Sequence, residues 1–311
     1  MAVRALVNPL QTNFKFTEVL KDVYRFANLR SAGSQHNKAA YGGLLMAQAM
    51  YAADETVPSS LKAHCVHALY VTAADTEKSM DCHVNRLFDG RSFASRSINQ
   101  IQDGRTTVSM QVSYHTIEPD ACVHQSSMPI VKGPEECPDV DIDIIYYGLI
   151  DEMICKNKGP LNVQDFKGPK MREYPFYFRP VDFHSLVGRV DVRPDCHYVW
   201  TKFKFPIPKD DDRSQRTILL LISDVGLSLT AYLPHTGNGF KSSMNISLNH
   251  SLHFQTTDFN VSDWFLIEFE STQSRNGRSF TRGRCWNEKG EMFATVCQES
   301  LIRSRGAVSR L

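Results

Sequence analysis

Three polar residues sit in surroundings that would give them chemistry to do. Asp224 follows the run Ile218-Leu219-Leu220-Leu221-Ile222-Ser223, so a helix through that run would carry a carboxylate into apolar surroundings. A buried charge left unpaired is expensive, so such a group is paired, protonated or working as a proton acceptor. The alternative is that Asp224-Val225-Gly226 bends or ends the helix at the surface. Gln298 lies in Ala294-Thr295-Val296-Cys297-Gln298-Glu299-Ser300-Leu301-Ile302, where a period of two groups its amide with Ala294, Val296 and Ile302 on the apolar face. There it needs hydrogen-bond partners. Ser247 shares parity with Asn249, Ser251 and His253, opposite Leu248, Leu252 and Phe254, and locally reads as part of a solvated strand face. His235 and His250 flank the stretch from Asp224 to Ser247 and are candidate helpers, with turn and strand roles as the simpler reading.

Other chemistries find no footing. The chain has no Gly-x-Ser-x-Gly elbow, no Gly-x-x-x-x-Gly-Lys-Ser/Thr phosphate loop and no His-Glu-x-x-His. His64-Cys65-Val66-His67 has two possible metal-ligand types, but no second ligand cluster has matching spacing, so no metal is expected. A net charge of +1 leaves no electrostatic footprint for nucleic acid. No apolar run reaches the ~18 residues that a membrane span needs. The eight cysteines never form Cys-x-x-Cys, and with no secretory leader they read as reduced thiols inside the cell. Ser309-Arg310-Leu311 ends the chain in the pattern of the Ser-Lys-Leu peroxisomal address, with Arg at the basic position.

The elements that would position these residues occur twice. Gly90-Arg91-Ser92-Phe93 is spelled again at Gly277-Arg278-Ser279-Phe280, too far apart for a solenoid period and right for a duplicated domain. In the first copy, a strand near Val19 to Phe26 precedes a helix from Lys38 to about Asp54, with Asn37 as a plausible N-cap. That helix is apolar on nearly every side, the pattern of a buried helix. Gly42 and Gly43 near its start each cost about 1 kcal/mol relative to Ala, so a sheet wall or a ligand is expected to approach the backbone there. Strands follow at Ala63 to Val71, Asp81 to Phe88, Phe93 to Ile101 and Thr106 to His115, which predicts an antiparallel sheet curled around a helix. Prolines and the acidic run from Asp139 to Asp143 mark a linker with a short helix over Ile144 to Lys156. In the second copy, strands at Tyr174 to Phe178 and His197 to Phe205 lead into Asp210-Asp211-Asp212, which suits a helix N-terminus. The helix is predicted from about Ser214 to Leu233, followed by strands at Ile246 to Phe254, Trp264 to Glu270, Phe280 to Trp286 and Phe293 to Arg303. The expected organisation is one unit over residues 1–116, a linker over 117–170 and a second unit over 171–311.

Taken in order, Tyr41-Gly42-Gly43 with Gln48 and Ala49, Asp89-Gly90-Arg91-Ser92-Phe93, Pro175 to Val181, Ser223-Asp224, His250-Ser251, Glu270-Ser271-Thr272 and Gln298-Glu299 resemble the thioesterase II family of acyl-CoA thioesterases. The terminal Ser-Arg-Leu makes the chain most similar to the peroxisomal branch. The resemblance implies an α+β double hotdog, two antiparallel sheets each wrapped around a long helix, and further pairing into homodimers or tetramers. It implies acyl-CoA as substrate, no cofactor, a peroxisomal import receptor as partner, and a site of Asp, Ser or Thr, and Gln that falls on Asp224, Ser247 and Gln298. The backbone at Gly42 and Gly43 is expected to face substrate and the developing oxyanion. The chain departs from the family at Thr72-Ala73-Ala74-Asp75, where Arg-Pro-Gly-Asp is usual, at Leu44, where Gln is usual, and at Asn249, often Asp. Two rival readings are a hotdog hydratase or dehydratase, whose Asp-x-Asn-Pro-x-His signature is absent, and a non-catalytic acyl-CoA-binding protein.

Overall fold

The computed structural model describes residues 8–31, 38–140, 174–183, 196–232, 235, 240 and 242–306. Asn37, the helix expected over 144–156 and the terminal Ser309-Arg310-Leu311 lie outside the described residues. A short helix α1 (Pro9–Thr12) leads into β1 (Phe16–Leu20) and β2 (Val23–Phe26), then helix α2 (Gly42–Asp54), then β3 (Leu61–Tyr70), β4 (Met80–Asp89), β5 (Phe93–Gln102) and β6 (Arg105–Thr116). A 3-10 turn at Pro134–Glu136 follows, and further along the chain come β7 (Phe176–Pro180), β8 (Cys196–Phe203), helices α3 (Asp212–Ser223) and α4 (Leu227–Thr230), and β9 (Ser242–Phe254), β10 (Phe265–Arg275), β11 (Arg278–Asn287) and β12 (Met292–Ser304).

The twelve strands among the described residues join one sheet in the order β1-β2-β4-β5-β6-β3-β9-β12-β11-β10-β8-β7. Reading outward from the centre, β3-β6-β5-β4-β2-β1 on one side matches β9-β12-β11-β10-β8-β7 on the other, which is the duplication written in strand order. The two halves meet where β3 and β9 pair antiparallel from Cys65 opposite His253 to Leu69 opposite Asn249. Alternation puts Val66 and Ala68 of β3 and Leu252 and Phe254 of β9 on the buried face, while Ala94 and Ile98, and Ala294 and Val296, continue it outward on each side.

Two expected elements come out divided. The first strand is a hairpin, because Asp22 takes a left-handed conformation (φ 60°) and reverses the chain between β1 and β2. The long second helix stops at Ser223, and Gly226, at φ 86°, separates it from α4. The start of α3 follows the acidic signal: Asp211 caps it by accepting from the Ser214 amide at 3.0 Å. The repeated tetrapeptide also turns in two ways, since Asn276 and Gly277 both adopt positive φ between directly paired Arg275 and Arg278, whereas Gly90 closes a wider loop through its amide to Phe93.

Helices α2 and α3 lie side by side in opposite directions. At one end, Arg213 pairs with Glu55 at 2.6 Å, packs its guanidinium 3.7 Å from the centre of the Tyr51 ring, and donates to the Tyr51 carbonyl. Lys62 reaches Asp212 at 2.9 Å. At the other end, Tyr41 donates its hydroxyl proton to the Leu221 carbonyl at 2.9 Å. A Cβ on Gly43 would stand 2.7 Å from that same Leu221 oxygen. The two backbones touch because this position has no side chain. Gly43→Ala is therefore expected to force the helices apart and cost about 1–3 kcal/mol of stability, the scale of an overpacked core. Urea unfolding measures it, and parental stability in this variant would show that the contact is not as tight as described.

Candidate active site

The break after α3 creates the site. Asp224 is the residue on which the helix ends, still in right-handed backbone geometry, and the turn through Gly226 keeps its side chain inside, 6% exposed. So the alternative weighed from sequence is half right: the helix does end there, but not at the surface. Oδ2 of Asp224 accepts the Gly43 amide at 2.8 Å, and Oδ1 accepts Gln298 Nε2 at 2.9 Å. Gln298, fully buried on β12, gives its other amide proton to Ser247 Oγ. The structure thus brings the aspartate, serine and glutamine into one hydrogen-bonded chain.

Ser247 corrects the parity reading. Gln298 pairs with His250 and Glu299 with Asn249, but Ser300 pairs with Ser247. Leu248 is the extra residue of a β-bulge, and one inserted residue moves everything beyond it to the opposite face. Ser247 therefore points inward with Gln298 and not outward with Ser251. Gly43 is also reassigned by geometry: its amide is committed to Asp224, so it holds the carboxylate in place. Gly42, one residue earlier, faces the same carboxylate, since a Cβ there would lie 3.1 Å from Asp224 Oδ2.

His250, a candidate helper in the sequence with a strand role as the simpler reading, is fully buried on β9 beside Gln298 and Asp224. Ser223 Oγ lies 2.9 Å from the Leu220 carbonyl oxygen and 3.1 Å from His250 Nε2, and the other ring nitrogen, Nδ1, lies 3.7 Å from Asp224 Oδ1. Burial pushes the His250 pKa down to about 3, and the pair is a neutral ring facing a carboxylate, not an ion pair. The signal that could have found it is its register opposite Gln298, which depends on long-range pairing.

Burial also pushes the Asp224 pKa up to about 6, against the opposing pull of the Gln298 and Gly43 hydrogen bonds. The carboxylate is thus ionised at neutral pH yet close to its protonation point, which suits a general base. Away from this site, on the opposite face of the sheet, Cys65, His67 and His253 bring donor atoms within 4.8 Å of one another. Cys65 Sγ lies 3.0 Å from His67 Nε2, His67 Nδ1 lies 2.8 Å from Ser251 Oγ, and the His67 and His253 rings meet edge to face.

The family model for the acyl-CoA thioesterase N-terminal domain matches residues 31–115 and that for the acyl-CoA thioesterase C-terminal domain matches residues 159–302. The chain belongs to the acyl-CoA thioesterase family. Membership makes it a hydrolase of acyl-CoA thioesters. The rat (Rattus norvegicus) acyl-coenzyme A thioesterase 8 is 30% identical over 289 residues, 93% of this chain and 87% of the relative. The peroxisomal acyl-coenzyme A thioester hydrolase 1 of Saccharomyces cerevisiae is 20% identical over 302 residues, 86% of each chain. Among solved structures, the acyl-CoA thioesterase II TesB2 from Mycobacterium marinum superposes with a TM-score of 0.73 at 22% identity, covering 97% of this chain and 100% of that one. The fold is a double hotdog.

The raised pKa has a consequence for stability. Folding holds the Asp224 proton more tightly than the unfolded chain does, so the native state carries no penalty below about pH 4, an increasing one between pH 4 and 6, and the full one above pH 6. Asp224→Asn is expected to gain on the parent by up to about 3 kcal/mol between pH 3.5 and pH 8, at 1.36 kcal/mol per unit. Whatever the amide loses in hydrogen bonding is the same at both pH values. Denaturant unfolding of both proteins across this range tests it, and a difference that stays constant with pH would mean that Asp224 titrates normally.

Proposed function

We propose that the chain hydrolyses fatty acyl-CoA to the free acid and coenzyme A by addition of a water that Asp224 deprotonates. The observation that carries this is the Gln298 amide, bonded at once to Asp224 and to Ser247 in a buried site. With its two protons donated, Gln298 fixes the carboxylate and turns the Ser247 oxygen toward itself as acceptor, which leaves the Ser247 proton free to hold the water. Positioning of this kind lowers the barrier by paying orientation entropy in advance. The water oxygen bonds to the thioester carbon as its proton passes to Asp224. Collapse of the tetrahedral intermediate breaks the C–S bond, and the proton on Asp224 goes to the departing sulfur.

Covalent catalysis by Ser247 has no support in this arrangement. A serine nucleophile needs a base at its oxygen, and the group there is an amide donor, while His250 Nε2 is engaged with Ser223. Peroxisomal residence is supported by the name of the yeast relative and by the Ser309-Arg310-Leu311 ending, which would engage the import receptor. Homo-oligomers, dimers or tetramers, are the expected assembly.

Asp224→Asn should fold and lose at least ~10²-fold in kcat, the scale for one general base, in a thiol-release assay on palmitoyl-CoA. In the parent, kcat/KM should rise with pH to a plateau above about 6, because the ionised form is the active one. A variant with near-normal turnover would refute the role of Asp224. Thiol release also separates hydrolysis from hydration and from binding without turnover. For location, a fluorescent fusion that keeps the native C-terminus should enter peroxisomes, and removal of Ser309 to Leu311 should leave it in the cytosol. Unchanged import after removal would count against the signal.

A further inference from the structure

Tyr70 ends β3, and no motif in the sequence draws attention to it. Its hydroxyl is closed off from solvent and has no hydrogen-bond partner among the described residues. Buried polar groups are overwhelmingly paired, so one that is not calls for a partner that arrives during function. Gly42 shows what that hydroxyl lies beside: a Cβ built there would stand 2.8 Å from the Tyr70 hydroxyl oxygen and 3.1 Å from Asp224 Oδ2. Both oxygens therefore pack against the bare Cα of Gly42 at the first turn of α2, on the approach to the same carboxylate. Asp224 takes its protein hydrogen bonds from Gly43 and Gln298, and neither of these groups bonds to Tyr70.

We propose that Tyr70 is a catalytic hydrogen-bond donor to the thioester carbonyl oxygen, stabilising the oxyanion that forms when the water activated by Asp224 adds to the carbonyl carbon. The proposal rests on the reading of Asp224 as general base. As the O–C bond forms, the carbonyl π pair moves onto oxygen, and the Tyr70 O–H is the donor facing it. When the C–S bond breaks the pair returns, and the Tyr70 proton never leaves. Burial, reinforced by the negative charge of Asp224, raises the phenol well above 10, so Tyr70 stays a donor and never competes as a base. The N-terminus of α2 at Gly42 adds the positive end of a helix dipole at the same place. Donors fixed in advance around a developing oxyanion, in a site shielded from water, supply the largest electrostatic share of acyl-transfer catalysis.

The test compares Tyr70→Phe with Asp224→Asn in one thiol-release assay and adds binding of two unreactive acyl-CoA analogues. One is a ketone, with CH2 in place of sulfur. The other is a thioether, with CH2 in place of the carbonyl. Tyr70→Phe should lose about 10²-fold in kcat, the scale for one oxyanion donor, with KM within a few-fold. It should bind the ketone several-fold more weakly and the thioether as well as the parent does. If Asp224→Asn is inactive while Tyr70→Phe keeps kcat within about 3-fold, the role of Tyr70 is overturned and the general base stands. Equal weakening of both analogues would assign Tyr70 a packing role and also overturn the proposal. An active Asp224→Asn would remove the base and this inference with it.

Discussion

The end-on approach of α2 to Asp224 is the constraint from which the rest of the architecture follows. A carboxylate at the C-terminal end of its own helix faces the negative end of that helix's dipole and is disfavoured there. What makes it tolerable is the N-terminus of the other helix, whose Gly43 amide points straight at it. This geometry requires antiparallel helices at backbone contact, hence the glycine against Leu221, and it requires one helix from each half of the chain. Asp224 is encoded in the second half, but its electrostatic support comes from the first. One hotdog alone would leave Asp224 buried beside an unfavourable dipole with only Gln298 to answer it.

The pseudo-twofold relation between the halves also explains why there is one such site and not two. Register maps Gln298 and His250, a facing pair, onto Val112 and Val66, which face each other in the first half. A bulge lies at the same place in both seams, between Ala63 and Cys65 on β3 and between Ser247 and Asn249 on β9, so Ser247 maps onto Ala63. Where Gly43 meets Asp224 at one end of the helix pair, Arg213 meets Glu55 at the other. The duplicated position keeps the backbone device and replaces the chemistry with apolar side chains and an ion pair. The first-half end of the helix pair serves as anchorage, with Lys62, Asp212, Arg216 and Asp54 gathered around Arg213.

How far the sequence shows all this depends on whether a signal is local. The duplication, the presence of a buried helix in each half and the inward Gln298 follow from composition and period, whereas the first helix starts at Gly42 and not at Lys38, and what approaches Gly43 is the Leu221 carbonyl of the other helix and not a sheet wall or a ligand. The inward Ser247 does not follow from period, because its orientation turns on a bulge at Leu248, and an inserted residue leaves the alternation of apolar and polar types unbroken to the eye. The helix expected through Leu233 fails for a related reason. The run from Ile218 to Ser223 continues apolar through Leu227 and Leu229, and only the left-handed Gly226 divides it. Tyr70 carries no local signal, and His250 offers only its nearness in sequence to Ser247. Each matters through a neighbour more than 25 residues away in the chain, Gly42 for the tyrosine and Ser223 for the histidine.

The site's energetics run against the fold that holds it. A carboxylate, a neutral histidine and a phenol are set into a largely apolar core, and burial favours the uncharged form of each. Such groups persist only when the structure around them leaves no alternative. Here the over-determination comes from the helix pair, tied by Arg213 and Glu55 at its far end and by Tyr41 and Leu221 at its near end. Relaxing the near end would let water reach Asp224, lower its pKa toward that of an ordinary carboxylate, and weaken it as a base at the same stroke. Helix contact and proton affinity are therefore a single variable in this protein, so the glycine that closes the contact matters to the chemistry as much as any side chain that takes part in it.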